Sequence, residues 1–86
     1  MTSFAVTVRY FASVREAVGT GSETLHTAAP TAGALRDELI ARGGAWAQAL
    51  AHGRAVRIAV DQALADGAAP LHAGAEVAFF PPVTGG

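Results

Sequence analysis

The sequence predicts an α+β domain in which one main helix lies across a mixed sheet of four to five strands. Three observations carry this reading. Alternating apolar segments stand near both ends of the chain, "FAVTVRYF" at 4–11 and "EVAFFP" at 76–81, and a period of two marks a strand with one buried face. Between them runs one long stretch with helical spacing, "APTAGALRDELIARGG". Strands therefore outnumber substantial helices, which excludes a doubly wound parallel sheet.

Each element has a local reason. In the first strand Phe4, Val6, Val8 and Tyr10 share one face, with Thr7 and Arg9 on the other. "SVREAVG" predicts a short helix after it. Ser13 and Glu16 have capping-box spacing, Val14, Ala17 and Val18 point inward, and Gly19 suits the left-handed residue past the end. "GTGS" is a turn, and "SETLHT" (22–27) pairs as a second strand with the first. Thr31 after Pro30 is the N-cap of the main helix. Ala32, Leu35 and Leu39 form its apolar stripe, widened by Ile40. Glu38 precedes Arg42 by four residues, the better orientation for a helical ion pair, and Gly43–Gly44 stops the helix. "AWAQALAH" adds a turn or two, with Trp46 and Leu50 packing inward. "AVRIAVD" (55–61) alternates again, "QAL" is a short edge strand, and "DGAAPLHAG" is turn-rich. In the final strand Val77 and Phe79 share one face, Ala78 and Phe80 the other. This order is that of the β-grasp, or ubiquitin-like, fold.

Bulk properties narrow the function. Eighty-six residues make one domain, with 1–80 as its body and 81–86 as an extended tail. A hydrophobic fraction of 51% and mean hydropathy of +0.33 support a core and exclude a disordered chain. No apolar run approaches the ~20 residues of a membrane span, and no basic region with a long apolar block opens the chain. A cytoplasmic, non-membrane protein is expected. A net charge of −1 gives no general attraction to nucleic acid. The chain has no cysteine, which excludes disulfides, thiolate zinc sites and thiol nucleophiles. All six basic residues are arginine. That is either drift in composition toward Arg and Ala, or a surface without side-chain amines, to which an activated carboxyl end has no lysine to couple.

The body shows no active site of its own. His26, His52 and His72 stand far apart, without metal-ligand spacing. Asp37 and Glu38 are neighbours on a helix and point in different directions. Neither Ser13 nor Ser22 sits in a nucleophile elbow, and no phosphate-binding loop is present. Arg15 is a solvated helix residue or a contact for a partner.

The tail "FFPPVTGG" (79–86) reads differently. Pro81 and Pro82 fix two φ angles and cannot donate ladder hydrogen bonds, so the strand ends there and a stiff arm begins. Val83 is an apolar anchor, and Thr84 hydrogen-bonds either way. Gly85 and Gly86 lack Cβ atoms, and a Gly-Gly thread enters channels that exclude other residue pairs. At its end lies the α-carboxylate of Gly86, with no side chain to hinder attack. ATP activates a carboxylate as an acyl-adenylate. An amine then gives a conjugate, and a persulfide sulfur gives a thiocarboxylate. Gly-Gly alone also fits a frayed end; after a Pro-Pro spacer and a last β-grasp strand it points to a working tip.

At this point the chain resembles a known family. "FASVREAVG", "PTAGALRDEL" and "PLHAGAEVAFFPPVTGG" are similar to the small subunit of molybdopterin synthase, the MoaD branch of the sulfur carriers that include the thiazole-synthesis carrier ThiS. The likeness spans almost the whole chain, and "FFPPVTGG" is its most specific part. The resemblance implies a β-grasp fold and a non-catalytic sulfur donor that binds no cofactor. It implies that an ATP-dependent adenylyltransferase activates Gly86, which is then converted to a thiocarboxylate. It further implies that the tail inserts into a large synthase subunit carrying the catalytic side chains, within a heterotetramer, and gives sulfur to cyclic pyranopterin monophosphate in molybdenum cofactor biosynthesis. Phe79, Phe80, Pro81, Pro82, Val83, Thr84 and Gly85 match the family's docking segment. For Phe79 or Phe80 simple core packing is the competing role. Asp61 stands where the family often has asparagine and Ala75 where aspartate is usual, both at expected turns. A carrier for thiazole or another sulfur-containing product, and a ubiquitin-like modifier of target lysines, would use the same tail.

Overall fold

The computed structural model describes residues 3–82. Eight elements follow in order: β1 (Phe4–Tyr10), α1 (Ala12–Val18), β2 (Ser22–Thr27), α2 (Ala32–Ile40), α3 (Gly44–Leu50), β3 (Arg57–Val60), β4 (Ala63–Ala65) and β5 (Glu76–Phe80). The sheet order is β2-β1-β5-β3-β4. β1 and β5 run parallel at its centre, and the other pairs are antiparallel. This is the mixed five-stranded sheet of the ubiquitin-like β-grasp fold.

The core lies between the sheet and the helices. Val6, Val8 and Tyr10 of β1, Val77 and Phe79 of β5, and Ile58 of β3 meet Leu35 and Leu39 of α2 and Leu50 of α3. Tyr10 and Phe79 rings stack at 6.3 Å between centroids across the parallel pair. Because side chains alternate along a strand, Arg9, Ala59, Ala78 and Phe80 must lie on the opposite face. Among the described residues that face carries no helix.

Several local expectations hold. Thr31 Oγ1 accepts the Ala34 N–H at 3.2 Å as the N-cap of α2. Gly19 is left-handed with φ 83°. The start of α2 has a further seal: the Ala32 and Gly33 N–H groups donate to Ala69 O and Gly67 O, each at 2.9 Å. A Cβ on Gly33 would lie 2.9 Å from Gly67 O, so the close approach of these two backbones requires glycine.

Other expectations are corrected. No Ser13 cap forms; α1 starts after Phe11 without a side-chain cap. The chain instead turns out of β1 through Ala12, at φ 51°, which leaves Ser13 away from the Ncap position. Ala17 is exposed while Val14 and Val18 are buried, because α1 is a short helix whose inward stripe is i, i+4. Arg42 does not pair with Glu38. It forks onto Glu23 of β2, with both nitrogen–oxygen distances 2.9 Å, and stacks over Trp46. Glu38 instead accepts a 2.7 Å hydrogen bond from buried Thr27. Tertiary partners displaced the helical pair because a bidentate guanidinium contact is stronger than an exposed i,i+4 pair. Ala75, expected at a turn surface, is fully buried, while its backbone closes a turn with His72 O and accepts from Thr7 N–H.

Candidate functional site

The bare face of the sheet holds an open apolar groove of about 750 Å³. Its floor comes from small side chains at alternate positions: Ala78 on β5 stands between Arg9 on β1 and Ala59 on β3 in register. Bulkier groups make the walls, with Phe11 and Arg9 on one side and Phe80, Pro81 and Pro82 at the end where β5 stops. A row of alanines between aromatic walls is what makes a depression on a strand surface, since side chains there stand perpendicular to the sheet. The volume lies within the range of recognition pockets.

Electrostatics at the groove are sparse. The Arg9 guanidinium lies 5.3 Å above the Phe11 ring centroid and only 3.9 Å from the Glu76 carboxylate. Phe11 is 41% exposed, one of two large hydrophobic residues left so open among the described residues; the other is Leu64 on the edge strand β4. At the rim, the β3–β4 turn places Asp61 and Gln62 at φ 50° and 69°, the left-handed pair of a type I′ hairpin that tolerates Asp at its first position. Asp61 Oδ1 accepts the Glu76 N–H at 3.0 Å, and Oδ2 lies 2.8 Å from His72 Nε2. The backbone hydrogen bond and then His72 hold the Asp61 carboxyl below its ordinary pKa. Asp61 in turn, with the Ala73 carbonyl 2.9 Å from Nδ1, raises that of His72. The departure at Asp61 thus ties the hairpin to the start of β5.

The structure splits the predicted docking segment. Phe80 is half-buried and faces the groove, as do Pro81 and Pro82. Phe79, fully buried, faces the core, held by Tyr10. Val83, Thr84, Gly85 and Gly86 lie outside the described residues. Arg9, Phe11, Ala59, Ala78 and Gln62 join the site without having been singled out. Their signal was present in outward-facing positions occupied by small or aromatic residues, but strand register is needed to bring them together. His26, His52 and His72 stay apart; His52 pairs with Asp37 at 2.6 Å and is exposed. Among the described residues no three metal-ligating side chains cluster, and no helix is long and apolar enough to cross a membrane.

A β-grasp body whose last strand runs out beside a bare apolar groove defines a ubiquitin-like protein. The ThiS family model matches residues 8–86, and the chain belongs to the ThiS family. It is 47% identical over 81 residues to the molybdopterin synthase sulfur carrier subunit of Escherichia coli, covering 94% of this chain and 99% of that one. The protein of the same name from Haemophilus influenzae is 40% identical over 79 residues, covering 92% and 96%. Among solved structures, the complex of subunits 1 and 2 of molybdopterin-converting factor from Helicobacter pylori contains a chain that superposes with a TM-score of 0.64 at 27% identity, covering 96% of this chain and 100% of that one.

Proposed function

We propose that this protein is the sulfur-carrier subunit of a molybdopterin synthase, working in the cytoplasm. An ATP-dependent adenylyltransferase activates the Gly86 carboxylate, releasing pyrophosphate. A sulfide-level sulfur nucleophile then displaces AMP and leaves a thiocarboxylate. The carrier next docks on the large synthase subunit through the groove and threads its tail into that subunit's active site. There the thiocarboxylate gives its sulfur to cyclic pyranopterin monophosphate, and the tail returns as a carboxylate. The carrier itself holds no cofactor; ATP belongs to the activating enzyme.

The observation that carries this reading is the continuity of the groove with the tail. Phe80, Pro81 and Pro82 belong to both. A partner that covers the apolar floor therefore holds the root of the arm and sets the direction of its tip. Buried aromatic anchors with an arginine at the edge suit such an interface. Relatives named as sulfur carriers, alike over nearly their whole length, support the same assignment.

Removing Gly86 tests it. The shortened chain should melt as the full chain does and still bind the large subunit, yet give no sulfur to the pterin precursor. Full transfer by the shortened chain would overturn the assignment. Intact mass spectrometry of the active carrier should show one oxygen replaced by sulfur, mapped to Gly86.

A further inference from the structure

The bare face of the sheet differs in charge from the chain as a whole. The chain carries a net charge of −1. Register and alternation place two arginines, Arg9 of β1 and Arg57 of β3, on the strands of this face, against one carboxylate, Glu76 of β5. His26, on the β2 edge of the same face, adds no negative charge. Of the two arginines, Arg9 lines the groove. Its guanidinium lies 5.3 Å from the Phe11 ring centroid, within cation–π range. Stacking occupies one face of the head and leaves the N–H donors around its edge. Glu76 is 3.9 Å away, an ion pair too long for a hydrogen bond.

Arg36 and Arg42 show how partly buried guanidiniums are satisfied elsewhere in the fold. Arg36 donates to the Leu50 and Ala51 carbonyls at 2.7 and 2.9 Å, and Arg42 forks onto Glu23. Among the described residues Arg9 has no such acceptor. Glu76 does not become one without loss. It stands opposite Thr7, two residues before Arg9, whereas Phe11 lies two residues after. A full bond to Glu76 therefore draws the guanidinium off the ring. A partner that covers the alanine floor also removes water from Arg9, and a desolvated guanidinium needs acceptors. The planar fork is matched best by a carboxylate, which takes two parallel N–H bonds.

We infer that the groove takes an apolar segment bearing a carboxylate, and that Arg9, seated on Phe11, pairs with that carboxylate and selects for it. That the segment belongs to a large synthase subunit rests on the carrier reading above; the chemistry of the site is testable without any partner. The full chain is titrated with phenylbutyrate, with its neutral amide and with phenylbutylamine, three probes that share an aromatic ring and short chain and differ in the head. Backbone amide NMR signals of Ala59, Gln62 and Ala78, and the Arg9 Nε–H signal, locate the binding. Arg9→Gln, Arg9→Lys and Glu76→Gln are titrated in the same way, after a melting curve has shown that each is folded.

In the wild type the carboxylate should bind about threefold or more tighter than the amide, with the amine weakest. Arg9→Gln should abolish that preference, and Arg9→Lys, which keeps the charge but not the fork, should retain part of it. Glu76→Gln removes a competing carboxylate and should increase the preference by about twofold. Equal binding of acid and amide, tightest binding of the amine, a preference that survives Arg9→Gln, or no shift at the groove signals would each overturn the inference. Calorimetry with the large subunit then reads the partner: Arg9→Gln should weaken binding by about tenfold or more, and Glu76→Gln should tighten it. Equal weakening by both would show that the partner needs the internal Arg9–Glu76 pair, which also overturns the inference. No binding by the wild type would count against the carrier reading and leave the probe result standing.

Discussion

The two faces of β5 come from five consecutive residues and serve opposite ends. Val77 and Phe79 are sealed beneath α2 and α3, with no measurable exposure. Ala78 and Phe80, one residue out of phase, form the floor and wall of a groove that no helix covers among the described residues. The strand therefore transmits position: the core fixes Phe79, and the pleat then fixes Phe80 and the direction in which Pro81 leaves. Residues adjacent in sequence with similar chemistry are not interchangeable when alternation sends them to different faces.

The sharpest way to break this comparison is to truncate each phenylalanine. Phe79→Ala removes a stacked, fully buried ring and should cost about 3–5 kcal/mol, a large share of the ~5–15 kcal/mol that holds a domain together; thermal denaturation followed by circular dichroism checks it. Phe80→Ala should change stability by less than about 1 kcal/mol but weaken calorimetric binding to the large subunit by about 2 kcal/mol. Equal effects of the two substitutions on melting would show that the faces are not distinct.

On the sealed side, Gly33→Ala forces a methyl group against Gly67 O. It should cost about 1–3 kcal/mol, read from a denaturant curve, while carriage of sulfur by the folded fraction stays intact.

Two smaller effects compare ionic contacts on the two faces. On the helix side, Arg42 first, and Tyr10 as a further donor, hold Glu23 below the ordinary carboxylate pKa against the opposing effect of burial. A lowered folded pKa means stability present above the unfolded value and lost as pH falls through the folded one. The melting temperature should therefore drop on acidification, and Glu23→Gln should flatten that limb. On the groove side, Asp61 raises the pKa of His72. A raised folded pKa gives a contribution present below the unfolded histidine value and lost as pH rises through the folded one. An NMR titration should place the His72 midpoint above that of a free histidine, and Asp61→Asn should bring it down. Both His72 and Asp61 are exposed, so the melting temperature should respond less there than at Glu23.

Burial shows how far the sequence could be read. The core stripe of α2, its Thr31 cap and the edge strand were legible because each follows from spacing or from one side chain's reach to nearby backbone. The choice between Phe79 and Phe80 was not, since either phase of an isolated strand is consistent with a buried face. Ser13 failed as a cap because the path out of β1 is set by Phe11 N–H donating to Phe79 O at 3.1 Å, a contact across 68 residues of sequence.

The sequence by itself determined the fold class, the number of strands within one, the lack of thiol and lysine chemistry, and the stiff Pro-Pro lead into Gly-Gly, because periodicity, composition and fixed φ angles are local properties. Tertiary structure alone decided which face is covered, that Arg42 belongs to Glu23, and that Arg9, Phe11, Ala59 and Ala78 meet at the root of the tail. The physical reason is register: hydrogen bonds between β1, β5 and β3 join residues dozens of positions apart, and a shift of one residue would exchange the groove for the core.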